Sequence, residues 1–206
     1  MASTATPYGF RAVNELGGLP YAGSTRSFLI DPAGYNTNIF NGSIVAINTS
    51  GYINIVTTNG DNSTPFPAGT IGVFVGCSFT NAQGQIIYSQ YYPANTASVQ
   101  GSAITAYVID DDRAVFQVQA NGTLAQTALG MNVILSAVQS TSTGSTTTGN
   151  STTAVSNSAA ATSGYAFRVV GFADTPGFSA VGDAFTDILV KFNPGAHSYS
   201  NATGVA

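Results

Sequence analysis

The sequence predicts an all-β fold, an antiparallel β-barrel or sandwich of the Greek-key or jelly-roll kind, with one short helix and one long Ser/Thr-rich excursion. Three observations predict it. Apolar residues alternate with period two in many short runs, turn-forming residues separate those runs, and a single stretch has helical spacing. A chain of 206 residues suits one domain of the larger all-β kind and buries a core without a metal or disulfide staple.

Residues 1–24 read as an N-terminal arm ahead of the first strand. Residues 25–138 read as the core. Its clearest strand holds Ile71, Val73, Val75, Cys77 and Phe79, expected on one face, with Gly72, Phe74, Gly76 and Ser78 on the other. Further β-rich runs fall at 27–30, 44–47, 52–57, 85–92, 104–109, 115–119 and 131–137. The links Asn48-Thr49-Ser50-Gly51, Asn59-Gly60-Asp61-Asn62 and Asn81-Ala82-Gln83-Gly84 tolerate left-handed backbone, so several neighbouring strands are expected to pair as hairpins. Thr123 to Leu129 reads as the helix, with Thr123 as its cap, Leu124, Ala125, Ala128 and Leu129 on its apolar side, and Gly130 at its end. Residues 139–164 carry no charge and only one bulky aliphatic, Val155, so they are expected to be flexible alone and to order against a neighbour. Residues 165–193 return two strands to the core, at 166–172 and 187–192, and residues 194–206 form a C-terminal tail.

Composition narrows the function classes. Only 7% of residues are charged and 44% are hydrophobic, whereas soluble domains carry ~25% charge. So few ionised groups give copies little mutual repulsion and point to a molecule packed against other proteins. Five basic residues and a net charge of -4 offer no electrostatic footprint for nucleic acid. No run approaches the ~18 consecutive apolar residues of a spanning helix, and neither nucleic acid nor a membrane is expected as a partner. The opening Met1-Ala2-Ser3-Thr4-Ala5-Thr6-Pro7 lacks the basic start and apolar stretch of a secretory signal, so synthesis in the cytoplasm is expected. The six Asn-x-Ser/Thr sequons are what a chain rich in these residues makes by chance.

Candidate chemistry is sparse. Cys77, the single cysteine, reads as a small buried apolar residue. His197, the single histidine, reads as a surface or interface residue, with no Gly-x-Ser-x-Gly elbow to accompany it. Asp110-Asp111-Asp112 is the densest acidic run; its spacing is wrong for an EF-hand, and it reads as a turn between strands with Arg113 balancing part of the charge. Tyr88, Tyr91 and Tyr92 read as packing residues, with an aromatic binding surface as the alternative. No catalytic residue, metal or cofactor is expected, and the protein is expected not to be an enzyme.

Three segments carry a likeness to a known family: Thr6-Pro7-Tyr8-Gly9-Phe10-Arg11-Ala12-Val13, then Val115-Phe116-Gln117-Val118-Gln119-Ala120 with residues 124–132, and Arg168-Val169-Val170-Gly171-Phe172-Ala173-Asp174. Together they resemble the capsid decoration, or cement, proteins of short-tailed bacteriophages. Such proteins share this opening, an aspartate-rich turn before a Phe-x-Val-Gln strand, and a Ser/Thr/Gly-rich excursion. The resemblance implies a virion structural protein on the outer surface of an icosahedral capsid, made in the host bacterial cytoplasm. It would bridge major capsid subunits and self-associate, as a trimer in preference to a dimer. Pro7, Tyr8, Phe10 and Arg11 are the first candidates for capsid contact, because an apolar and basic arm can thread onto a neighbour; alternatively Tyr8 and Phe10 cover the open end of their own barrel. The excursion is the second contact candidate. The competing reading is a carbohydrate- or cell-surface-binding module of a phage fibre or adhesin, which the absence of tryptophan weakens.

Overall fold

A computed structural model describes residues 4–174 and 179–205. Its strands are β1 (Arg11–Glu15), β2 (Arg26–Ile30), β3 (Ile44–Ile47), β4 (Ile53–Ile55), β5 (Thr70–Thr80) and β6 (Ile86–Ser89), then β7 (Ile104–Ile109), β8 (Ala114–Gln119), β9 (Asn132–Val133), β10 (Phe167–Phe172) and β11 (Asp187–Phe192). The first sheet runs β1-β8-β11-β10-β9; the second runs β2-β7-β5-β3-β4, with β6 also on β5. Every ladder between these strands is antiparallel. The sheets do not close on each other, so of the two architectures expected, barrel or sandwich, the chain adopts the sandwich.

Between the sheets, Phe116, Phe167 and Phe192 of the first meet Ile44, Val73 and Ile109 of the second in one continuous apolar cluster. Phe167 is its centre, with ring centroids 5.0 Å from Phe10, 5.5 Å from Phe66 and 5.0 Å from Phe192. The second sheet also buries its other face. There Val45, Ile53, Phe74, Cys77 and Val108 pack under Ile39 and Tyr92 from the connecting chain. The Tyr92 hydroxyl accepts from the Tyr35 N–H at 2.9 Å and donates to the Thr96 carbonyl at 2.7 Å, which lets a phenol lie fully buried.

β5 departs from simple alternation. Val73 belongs to the cluster between the sheets with Val75 packed against it, whereas Ile71, Phe74 and Cys77 belong to the outer cluster and Phe79 packs there. The five residues expected on one face are therefore split between two. Register shifts opposite β3 and between Phe74 and Gly76 opposite β7 show the cause, two β-bulges that each reverse the side-chain alternation. Gly72, at φ +140°, lies where a Cβ would stand 1.9 Å from the Ile109 carbonyl oxygen.

The link at 48–51 closes the β3–β4 hairpin, and the link at 81–84 closes the β5–β6 hairpin. The link at 59–62 does not make a hairpin, since β4 pairs with β3 and β5 does as well. The acidic turn at 110–112 carries the chain from β7 in one sheet to β8 in the other.

Three further expectations change. The helix is a single 3-10 turn at Gln126–Ala128, with no side-chain cap from Thr123. The Leu124 N–H there donates to the Thr186 hydroxyl at 3.1 Å, so a tertiary partner replaces the cap, while Gly130 does leave the turn at φ +80°. The presumed arm contains β1, paired with β8; as an edge strand with Arg11 and Val13 turned to solvent it lacks the hydrophobic alternation that marks a strand.

The excursion is not loose. Gln139, Ser151, Thr153 and Val155 are buried. Gln139 Oε1 accepts from the Ile44 N–H, and its Nε2 donates to the Ile44 and Val56 carbonyls, each at 2.9 Å. Val155 exchanges backbone bonds with Gln119 and Asn121, and Ala160 with Asn132. Backbone pairing and buried amides hold this apolar-poor segment against its own sheets, where apolar area alone would not.

Candidate functional site

At the N-terminal candidates the chain turns sharply. Gly9 has φ +76°, and a Cβ there would lie 2.8 Å from Ser151 Cβ and 2.9 Å from the Gly42 oxygen, so arm, loop and excursion meet at a point only glycine fits. The turn separates the candidates. Phe10 points inward, 1% exposed, stacked on Phe167, with its N–H donating to the Gly42 carbonyl at 3.0 Å. It is a core residue, and its side chain offers no surface to a partner.

Arg11 is exposed, while Pro7 and Tyr8 are half-buried. The Arg11 guanidinium lies 4.6 Å from the centre of the Tyr8 ring, a cation–π contact. The Tyr8 hydroxyl and Asp187 Oδ1 are closed to solvent and approach each other without full hydrogen-bond geometry. Burial, and then the Asp187 charge, raise the Tyr8 pKa. Burial likewise raises that of Asp187, against partial offsets from the Tyr8 hydroxyl and Arg11. Thr6 and Thr4 are tied to the buried Gln119 side chain at 2.9 and 3.2 Å, so the arm is held against β8.

A second polar group gathers around the acidic turn. Asp110 Oδ2 lies 3.0 Å from Arg26 Nη1 and accepts from the Tyr199 hydroxyl at 2.7 Å. The partner of the acidic run is thus Arg26 on β2; Arg113 instead gives its backbone N–H to Asp111 Oδ1 at 2.8 Å. Tyr199 is pushed up to about 12 by burial first and by Asp110 next. His197 is not at the surface: it is 1% exposed, packed edge-on against Phe192 and Tyr199, with Nδ1 accepting the Tyr199 N–H at 3.3 Å. Burial holds its pKa below the usual histidine value, with the Ile71 carbonyl and Asp112, Asp110 and Asp111 opposing. Its role is to pin the C-terminal tail beside the turn. Among the described residues no three His, Cys, Asp or Glu side chains gather as a metal site requires.

Cys77 is buried as expected, its thiol pushed up to about 12 by burial. The three tyrosines do not form one surface. Tyr92 is in the core, Tyr91 stacks on Phe40 at 5.5 Å, and only Tyr88 stands free.

The feature that residue-by-residue reading misses is a distribution. No Asp, Glu, Lys or Arg occurs between residues 62 and 109, the span of β5, β6 and β7. Within that span Ile86 is 67% and Tyr88 76% exposed. A second exposed apolar group, Val13, Leu16 and Leu19, lies at the tip of β1. The charge-free run is visible in the sequence; the solvent exposure of two large side chains within it is not. Comparison of the chain with protein-family models, with curated proteins and with solved structures finds no match.

Proposed function

We propose that this protein is a non-enzymatic component of a virion that decorates and cements the outer surface of a tailed-phage capsid, bridging major capsid subunits. One observation carries the reading most directly. Large apolar side chains stand in solvent at two separate edges of a sandwich that has few charges to keep its copies dispersed. Monomeric domains ordinarily blunt such edges with charge, and here partner surfaces would cover them.

The resembling segments lie in and beside β1, in β8 and in β10, all strands of the first sheet. With Phe10 in the core, the capsid-contact set on the arm becomes Pro7, Tyr8 and Arg11. The excursion is folded onto its own chain, so any docking through it would be as a rigid surface. Tyr88, Tyr91 and Tyr92 do not share one surface, so they lend the carbohydrate-binding reading no support.

Co-sedimentation with undecorated shells of the major capsid protein from the same source tests the proposal. Saturable binding spread over the lattice is expected, and Tyr8→Ala with Arg11→Ala should lower occupancy while leaving the fold intact. Failure to bind any shell, or a few copies confined to the tail, overturns it.

A further inference from the structure

The β6 strand has a free side. Among the described residues it pairs only with β5, in the register Thr80↔Ile86, Phe79↔Ile87, Ser78↔Tyr88 and Cys77↔Ser89. The hairpin fixes which backbone groups face outward. The Asn81 N–H donates to the Gln85 carbonyl at 2.9 Å, so hydrogen-bonded and non-hydrogen-bonded pairs alternate from there. Ile87 and Ser89 then bond inward to β5, while the N–H and C=O of Ile86 and Tyr88 point away from the sheet. These are the same two residues whose side chains are exposed. β6 carries no lysine, proline or bulge of the kind that protects sheet edges.

We propose that β6 is a self-pairing edge, at which two copies of this chain join antiparallel about a twofold axis through Ile87. The arrangement is self-complementary. Ile86 of each copy falls opposite Tyr88 of the other, and the outward groups of both residues close two hydrogen-bonded pairs. The same register lays each exposed isoleucine against an exposed tyrosine, a favourable cross-strand combination. Self-complementarity selects a second copy as the occupant: one register satisfies the outward groups of both strands at once, and β5, β6 and β7 bring no ionised side chain to the seam to oppose it. Pairing there extends the second sheet across both subunits. It rests on the reading of the protein as an assembly component, and it makes the self-contact twofold where the family resemblance favours a trimer.

Sedimentation equilibrium of the full chain over a range of concentrations tests it. A monomer–dimer equilibrium is expected, weakened roughly tenfold or more by Ile86→Lys with Tyr88→Lys, since tenfold corresponds to only ~1.4 kcal/mol. Both residues are solvent-exposed, so a thermal midpoint equal to that of the wild type at monomeric dilution confirms that the double variant still folds. Ile87→Cys, on the axis, should give a covalent dimer on oxidation, and Leu19→Cys should not. A monomer at every concentration, a trimer, or a dimer indifferent to the double variant overturns the proposal. Shell binding separates it from the decoration reading: wild-type dimers that ignore shells sink only the latter, and monomers that coat shells sink only the former.

Discussion

The two sheets meet water in different ways. The first buries one face against its partner and turns outward Arg11, Gln117, Arg168 and Lys191, the usual solution for an antiparallel sheet. The second has no charge on β3 to β7 and buries both faces, one against the first sheet and one under irregular chain bearing Ile39 and Tyr92. Its covering stops short of β6. The difference shows how a chain with little charge stays folded: it folds its own connections over apolar faces, and at β6 they leave two large apolar side chains bare.

Substitutions on either side of this divide should differ in size. Phe167→Ala removes the ring shared by both sheets and should cost about 3–5 kcal/mol in urea unfolding. Gln139→Ala unties the excursion from β3 and strands the Ile44 N–H with it, an expected loss of about 2–3 kcal/mol. A change under 0.5 kcal/mol there would show that the excursion is dispensable to the second sheet. Tyr92→Phe affects only the outer cluster, leaving the Tyr35 N–H and Thr96 carbonyl unpaired, and should cost about 1–2 kcal/mol. The smallest effect is pH-dependent. His197 has its pKa lowered by burial from the ordinary 6.5, so the unfolded chain takes up the proton first as pH falls. Stability should therefore decline below about pH 6.5 and level off once the buried ring is also protonated. His197→Gln should flatten that decline, and an equal slope in both proteins would contradict the assignment.

Much of the fold was legible because period-two alternation survives wherever one face meets a core. β3, β7 and β11 fall where the pattern sets them. Alternation could not locate the β5 bulges, because glycine is compatible with either face until a neighbouring carbonyl fixes its backbone. Nor could it locate β1, whose exposed side chains are an arginine and a valine, Arg11 and Val13. The excursion was misread for a different reason: its order comes from amides such as Gln139, and the partners of a buried amide lie far away in sequence. The contact candidates were half legible. Phe10 and Tyr8 look alike on paper, and Gly9 sends one to the core and leaves the other half-buried.

Amide hydrogen exchange on dilute protein tests most directly the claim that arm and excursion belong to the packed fold while β6 remains its open edge. Protection is predicted at Phe10, Ile44 and Val155, with fast exchange at Ile86 and Tyr88 that slows as concentration rises. Exchange of Phe10 and Val155 at free-chain rates, or β6 amides already protected in the monomer, would contradict it.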